Sequence, residues 1–182
     1  MRTLHTPLCS LEPQVVAHAN EMFAVLSDPA IYEFEGEPPP SIERLAEGYR
    51  RKESRLSPDG AERWLNWVVR LSNGHLAGYV QATVLQTGAS YIGYEFSSQH
   101  WRLGLGSASV GALLDELASA YQVHTFVAVL KAANYRSTGM LAKLGFSPCP
   151  AEQAAEFESE ADEIILVKSS ALHLAQLPAN SA

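Results

Sequence analysis

The sequence has few of the features that mark membrane, metal-binding or disulfide-rich proteins. Its 182 residues include two cysteines, Cys9 and Cys149, which are too far apart in the chain to suggest a metal knuckle. The six histidines show no metal-ligand spacing, and no apolar run approaches the ~18 residues that a membrane span needs. The first residues also lack the apolar core of a signal peptide. We therefore expect no metal, no membrane attachment and a cytoplasmic location with reduced thiols.

Basic residues are also scarce. The chain has 13 lysines and arginines against 20 acidic residues, a net charge of −7, and its only basic cluster lies between residues 44 and 55. A protein that follows a nucleic-acid backbone needs a basic surface, so we expect no nucleic-acid partner. An acidic body suits a cationic partner or substrate instead.

The first part of the chain predicts two helices. Pro13 is placed as the first residue of one helix, whose apolar side chains recur from Val15 to Leu26. Ser41 is placed as the N-cap of the next. The side chains of that second helix predicted to point inward are Ile42, Leu45 and Tyr49, and those predicted to point outward are Arg44, Arg51 and Lys52. The basic cluster is therefore interpreted as a solvated helix face.

The rest of the chain alternates between strand and helix patterns. The segments RWLNWVVRL and HLAGYVQATVL flank Ser72-Asn73-Gly74, a strong hairpin signal. SYIGYEF and HTFVAVL read as strands on either side of a helix that carries Val110 to Tyr121, and a short helix follows from Asn134 to Leu144. We predict one layered α/β domain with a mixed sheet over residues 1–168. Its last strand is predicted at 164–167, after a solvated acidic segment, and a polar tail follows at 169–182.

Two glycines at the start of the central helix need an explanation, because glycine costs about 1 kcal/mol relative to alanine inside a helix. Gly104 and Gly106 do not fit a dinucleotide-binding fingerprint, which would need a third glycine where Ser109 stands. The chain also has no Gly-Lys-Ser or Gly-Lys-Thr of a phosphate-binding loop. The remaining use is an anion site, in which free backbone N–H groups and the helix dipole hold a negative group close to the chain.

The stretch from Ile92 through Trp101-Arg102-Leu103-Gly104-Leu105-Gly106 resembles the acetyl-CoA signature of the GNAT acyltransferases, and most of all the RimJ/RimL-type N-acetyltransferases. Trp101 stands where the signature has glutamine or arginine, as it often does in RimJ/RimL-like members. Further on, Asn134-Tyr135-Arg136-Ser137 and Leu144-Gly145-Phe146 are similar to the family's Asn-x-x-Ser and Leu-Gly-Phe. The resemblance covers about residues 3 to 168.

This resemblance implies a GNAT-like, mostly antiparallel mixed sheet flanked by helices, with the strands at about 89–96 and 124–130 splayed around the pantetheine arm. Backbone groups of two residues on the first strand would hold the thioester and the pantetheine. The amides of the glycine-containing loop would hold the pyrophosphate, and Asn134 and Ser137 would complete the site. For these last two, plain helix capping is the alternative. The implied cofactor-binding residues are Tyr94, Phe96, Arg102, Leu103, Gly104, Leu105, Gly106, Ser107, Asn134 and Ser137.

The implied reaction is direct attack of an amine on the thioester of acetyl-CoA. Many members carry a tyrosine as the acid for the leaving thiolate where this chain has Ala142. The resemblance therefore leaves Ser137, and after it Tyr135, as the candidate for that role. Glu95 is the base candidate, although strand alternation predicts that it points away from Tyr94 and Phe96. The carboxylates of Asp28, Glu33, Glu35 and Glu37 either attract a cationic acceptor or simply keep a loop soluble.

Three functions follow as hypotheses. The first is an acetyl-CoA-dependent N-acetyltransferase that acts on a small amine or on a peptide or protein α-amine. The second is a non-catalytic acyl-CoA-binding or sensing module, which the departure at Ala142 and the lack of a strong base leave open. The third is a structural partner-binding domain. The sequence allows a homodimer and does not identify the acceptor.

Overall fold

A computed structural model describes residues 1–170 of the chain. These residues form one eight-stranded sheet in the order β1-β2-β3-β4-β5-β6-β8-β7. Its strands are β1 (Leu4–His5), β2 (Cys9–Pro13), β3 (Arg63–Leu71), β4 (Leu76–Val84), β5 (Ala89–Phe96), β6 (Thr125–Lys131), β7 (Ser147–Pro148) and β8 (Glu163–Ser169). The helices are α1 (Ala19–Leu26), α2 (Ile42–Lys52), α3 (Leu105–Ala120), α4 (Tyr135–Lys143) and α5 (Ala151–Ala154). The predicted α/β class and mixed sheet are confirmed.

The sheet is antiparallel except between β5 and β6, which are parallel and connected through α3. Their pairing covers only Ala89–Tyr91 against Thr125–Val127. Beyond it β5 continues to Phe96 along β4, and β6 continues to Lys131 along β8, without further pairing between the two in the described chain. The two halves of the sheet therefore diverge, and this confirms the splayed central strands.

Both faces of the sheet are covered, because the central strands are apolar on both sides. On β3, Trp67 and Val69 pack into a core with Leu113 and Leu117 of α3. Val68, between them, packs into a second cluster with residues of α1 and α2. The sheet thus separates an α3 side from an α1/α2 side, and the gap between β5 and β6 interrupts it.

The first predicted helix begins later than expected. Pro13 is the last residue of β2, opposite Trp67 of β3, and α1 begins at Ala19 after a 3-10 turn over Val16–His18. Proline is tolerated there because β1 pairs only with Ser10 and Leu11, so the missing N–H of Pro13 leaves no partner unsatisfied. The strands β1, β2 and β7 carry no strong alternation, and the sequence analysis did not predict them.

The second helix is capped as predicted, since the Ser41 hydroxyl accepts a hydrogen bond from the Arg44 N–H at 3.3 Å. Two of its orientations were wrong. Ile42 is exposed, whereas Lys52 is half-buried and lines a cavity beneath the helix. Lys52 lies on the same face as Leu45 and Tyr49 because the three follow helical spacing.

Most of the remaining elements agree with the sequence. The hairpin turns at Gly74, which has a φ of +89°, and α4 ends before Gly145, which has a φ of +86°. Within the acidic segment, α5 is a single short helix followed by a loop. None of the helices in residues 1–170 combines the length and apolar character needed to cross a bilayer. Residues 171–182 of the predicted tail lie outside the described residues.

Candidate active site

Three elements meet at the open end of the gap between β5 and β6. They are the end of β5, which carries Tyr94 and Phe96, the first turn of α3, and the first turn of α4. The side chains of Tyr94 and Phe96 belong to the α3 side of the sheet. The gap thus opens beside two helix N-termini, whose free N–H groups carry a partial positive charge.

The turn before α3 has the backbone geometry of an anion cradle. Gly104, the N-cap, has a φ of +80°, and Arg102 has a φ of +62°. The first amide of the helical ladder is that of Ala108, which donates to the Gly104 carbonyl at 3.0 Å. Helix geometry leaves the preceding amides, those of Leu105, Gly106 and Ser107, without a partner inside the helix. Leu103 is 66% exposed, so its side chain leaves this backbone open.

Gly106 has a packing role in addition to the expected close approach of an anion. A Cβ at this position would lie 2.8 Å from the Met140 sulfur and 3.5 Å from a ring carbon of Phe96. The absence of a side chain therefore lets the start of α3 pack against α4 and the end of β5. Gly104 is under a different constraint, because its left-handed conformation disfavours any L side chain.

Asn134 and Ser137 lie together at the start of α4. The Asn134 Oδ1 accepts a hydrogen bond from the Ser137 N–H at 3.1 Å, so Asn134 is the N-cap of this helix. The Ser137 side chain lies near that of Tyr94. Burial raises the pKa of Tyr94 to about 12, although the nearby Ser137 side chain lowers it. Two hydroxyl groups are thereby placed at the gap, whereas the family resemblance implied a role only for the backbone of Tyr94.

Tyr135, the second acid candidate, lies elsewhere. Its side chain is 60% exposed and packs edge-on against Phe34, with the ring centroids 5.8 Å apart. The neighbouring Arg136 stacks over the Trp101 ring and forms an ion pair with Glu33. We call this group of five residues the Arg136 clasp. It connects α4 to the loop after α1 and to the turn before α3, and no local pattern in the sequence predicts it.

A cavity of about 190 Å³ lies on the α1/α2 side of the sheet. Glu95 forms part of its wall, as strand alternation predicts, opposite Tyr79 on β4. Burial raises the pKa of Glu95, although the Tyr79 hydroxyl beside it and the charge of Lys52 lower it. The other polar residues of the wall are Gln14, Tyr32, Glu37, Tyr49 and Lys52.

Of the residues that line this cavity, only Glu95 and Glu37 were expected from the sequence to act on the acceptor side. A signal was present in α2, since Leu45, Tyr49 and Lys52 are spaced as i, i+4 and i+7 and therefore share one helix face. A lysine on that inward face is unusual because burying its charge is costly. Gln14 and Tyr79 gave no comparable signal. Gln14 follows β2 and its N–H donates to the Asn66 carbonyl of β3, whereas Tyr79 is placed by the pairing of β4 with β5.

The four carboxylates between the first two helices do not act as one group. Asp28 accepts hydrogen bonds from the Ala30 N–H and the Ser98 N–H, and Glu33 pairs with Arg136. Hydrogen bonding to Ser98 holds the pKa of Asp28 below its usual value. Glu37 lines the cavity, whereas burial raises the pKa of Glu35, helped by the nearby charge of Glu163.

Comparison with known proteins gives a consistent family. The profile of the family described as "Acetyltransferase (GNAT) domain" matches residues 10–147. A search of curated proteins found no match.

Many solved structures share the fold. RimL, a ribosomal L7/L12 alpha-N-protein acetyltransferase solved with coenzyme A, is 16% identical with a TM-score of 0.76, over 92% of this chain and 97% of that one. The ribosomal-protein-S5-alanine acetyltransferase from Vibrio fischeri is 17% identical with a TM-score of 0.74, over 92% and 96%. The microcin C7 self-immunity acetyltransferase MccE, solved with acetyl-CoA and AMP, is 15% identical with a TM-score of 0.75, over 91% and 94%. At these identities the similarity establishes the fold.

Proposed function

The chain belongs to the GNAT acetyltransferase family, and we propose that it transfers the acetyl group of acetyl-CoA to a primary amine by direct attack. The observation that carries the proposal is the position of the anion cradle. The free amides at the start of α3 open beside the gap between β5 and β6, so one extended ligand can place its phosphates on the helix and its thioester in the gap.

The residues present fit acetyl-CoA as the co-substrate. The amides from Arg102 to Ser107 would bind the pyrophosphate. The backbone of Tyr94 and the N–H of Phe96, whose carbonyl already accepts from the Trp101 indole, would hydrogen-bond the pantetheine and the thioester carbonyl. Bound acetyl-CoA supplies an activated acetyl group and a thiolate leaving group. Asn134, whose Oδ1 is already engaged as the helix cap, would contribute mainly by holding Ser137 in place.

We assign the two proton transfers to opposite sides of the sheet. Glu95, on the cavity side, would accept a proton from the incoming amine, and its raised pKa makes it a better base than an exposed glutamate. Ser137, next to the Tyr94 hydroxyl, would donate a proton to the departing thiolate. Tyr135 is the weaker candidate because its exposed ring packs on Phe34.

The acceptor that suits this site best is an α-amine. An α-amine with a pKa near 7.8 is roughly one-tenth neutral at pH 7, whereas a lysine amine near 10.4 is neutral in only about one molecule in several thousand. The RimL and S5-alanine enzymes, which share the fold, are named for ribosomal proteins. We place the reaction in the cytoplasm, because the free Cys9 and Cys149 suit a reducing compartment.

The test is release of coenzyme A from acetyl-CoA with two matched peptides at pH 7. One carries a free N-terminus and no lysine, and the other has a blocked N-terminus and one lysine. We expect faster release with the free α-amine. Preference for the lysine peptide would contradict the α-amine assignment.

The same assay separates the two other hypotheses. A non-catalytic binding module would be stabilised by acetyl-CoA but would release no coenzyme A above background with any amine. A structural domain would show no change in melting temperature with acetyl-CoA. A ligand present at 100 times its Kd stabilises a protein by about 2.7 kcal/mol, so this shift is readily measured.

A further inference from the structure

The cavity beside Glu95 contains buried polar atoms that have no hydrogen-bond partner. Gln14 is 3% exposed and Tyr49 is 5% exposed, yet neither the Gln14 Oε1 nor the Tyr49 hydroxyl makes a hydrogen bond within residues 1–170. Burial raises the pKa of Tyr49, and the Gln14 side chain lies close enough to lower it, so the two groups are neighbours in the cavity. Leaving a buried polar group unpaired is unfavourable, so a pair of them in one cavity indicates a ligand that supplies the missing partners.

Lys52 adds a positive charge to the same cavity. Glu95 lies close enough to raise the pKa of Lys52, although burial lowers it more. Even so, among the described residues the ammonium has neither a hydrogen bond nor an ion pair within 4 Å. By contrast, Lys131 forms ion pairs with Glu160, Asp162 and Glu163. Lys52 therefore presents N–H donors to the cavity rather than to a protein carboxylate.

The donors and acceptors that line the cavity indicate which chemical groups its ligand carries. Lys52 and the Tyr49 hydroxyl are donors, which suit an anionic oxygen, whereas Glu95 and the Gln14 Oε1 are acceptors, which suit an amine. A volume of about 190 Å³ holds roughly six waters at ~30 Å³ each, so the occupant is of amino-acid size.

We propose that the acceptor carries a carboxylate within a few bonds of its primary amine, and that Lys52 and Tyr49 bind this carboxylate while Glu95 receives the amine. The inference rests on the proposed acetyl transfer and specifies its substrate class. Two sources share this chemistry: a free amino acid, through its own carboxylate, and a peptide that begins with aspartate or glutamate, through the side chain of that residue.

The alternative role for Lys52 is that of a counter-charge to Glu95 alone. In that role Lys52 would affect the base but would not distinguish a carboxylate from an amide on the acceptor. The two roles therefore differ in specificity rather than in overall rate.

The experiment measures kcat/KM for coenzyme A release with two matched pairs of acceptors. One pair is Asp-Ala-Ala-Ala amide and Asn-Ala-Ala-Ala amide, and the other is β-alanine and β-alaninamide. We expect the carboxylate member of at least one pair to be preferred by about 10- to 100-fold, the range expected for hydrogen bonds to a charged group. A nearby carboxylate also raises the pKa of the amine, which leaves a smaller fraction of it neutral. This effect disfavours the carboxylate acceptors, so it cannot produce the expected preference for them.

Two variants identify the residues responsible. Lys52→Met retains the aliphatic stem and should abolish the preference mainly through KM, and Tyr49→Phe should reduce it severalfold. The matched control is Arg51→Met, an exposed change on the same helix, which should leave the preference intact. The thermal shift with acetyl-CoA verifies that each variant is folded, because the cradle lies on the other side of the sheet. If Lys52→Met does not fold, the acceptor preference of Tyr49→Phe tests the carboxylate site.

The outcomes separate this inference from the function on which it rests. Equal rates within both pairs, or a preference that survives in Lys52→Met and Tyr49→Phe, would overturn the carboxylate site and leave acetyl transfer standing. No release with these acceptors or with any other amine would overturn the acetyl transfer itself. The pair that shows the preference identifies the source as a free amino acid or a peptide N-terminus.

Discussion

The guanidinium carbon of Arg136 lies 4.5 Å from the centroid of the Trp101 ring, and the Trp101 indole N–H donates to the Phe96 carbonyl at 2.8 Å. This stack joins the start of α4 to the turn before α3 and to the end of β5. These are the three elements that surround the gap in the sheet. Trp101, at the first place of the glycine signature, thus has a structural role, because the Arg136 guanidinium stacks on its ring.

The first prediction concerns this stack. Arg136→Met should destabilise the fold by about 1 kcal/mol, because a partly exposed cation–π contact contributes about that much, and should lower Tm by roughly 2–4 °C. It should also raise the KM for acetyl-CoA, because Trp101 precedes the cradle. Arg44→Met is the control, since Arg44 and its partner Glu47 are both well exposed. An unchanged KM would show that the clasp does not position the cradle.

The second prediction tests the cradle without disturbing the backbone. Leu103→Glu places a negative charge on an exposed side chain beside the free amides, and it should weaken acetyl-CoA binding about tenfold at low salt through repulsion of the phosphates. The effect should shrink in 0.5 M salt. Leu56→Glu is the matched control, because Leu56 is also an exposed leucine but lies before β3. Equal affinities for the two variants, measured by calorimetry, would place the phosphates elsewhere.

Glycine substitutions give a less direct test. Gly104→Ala should cost about 1 kcal/mol because alanine is strained at a φ of +80°. Gly106→Val should destabilise the packing of α3 on α4, since its Cβ alone would meet the Met140 sulfur at 2.8 Å. Loss of acetyl-CoA binding in Gly106→Val could therefore come from a blocked cradle or from disturbed packing of α3 on α4, and the variant alone would not separate the two.

Local patterns in the sequence predicted the helices and strands that surround the cradle. The signals were the hairpin at Asn73-Gly74, the stripe of α3 and the glycine that ends α4, and each depends on residues close together in the chain. The cavity could not be predicted in this way, because Gln14, Lys52, Tyr79 and Glu95 come from four separate elements. Lys52 shows most clearly where prediction from local patterns fails. Its charge predicted that it lies on a solvated helix face, whereas its spacing from Tyr49 places it on the buried face.

The third prediction separates chemistry from capping at α4. Ser137→Ala removes the hydroxyl but retains the N–H that Asn134 accepts, so stability should change little while kcat falls more than acetyl-CoA affinity. Asn134→Ala removes the cap and should cost about 1 kcal/mol of stability. Tyr135→Phe should leave kcat unchanged. A normal kcat in Ser137→Ala would remove Ser137 from the mechanism and leave it as part of the helix start.

The last prediction concerns Glu95, whose pKa in the folded protein is raised chiefly by burial. A carboxyl group with a raised pKa contributes stability that is fully present below its unfolded pKa, near 4.3, and that is lost as the pH rises through the folded pKa. Glu95→Gln removes this pH-dependent loss, so the gain in Tm from the substitution should grow as the pH rises from 4 to 7.

The same change should lower kcat by about 10²- to 10⁴-fold if Glu95 is the general base. In the parent enzyme kcat/KM should fall as the pH drops through the raised pKa of Glu95, and this limb of the profile should disappear in Glu95→Gln. The control is Glu47→Gln, an exposed change on α2, which should alter neither Tm nor rate. A variant Glu95→Gln that is more stable at pH 7 yet fully active would mean that the carboxylate is buried without serving as the base. The amine would then lose its proton to solvent, which is feasible for an α-amine and costs about 3.5 kcal/mol more for a lysine.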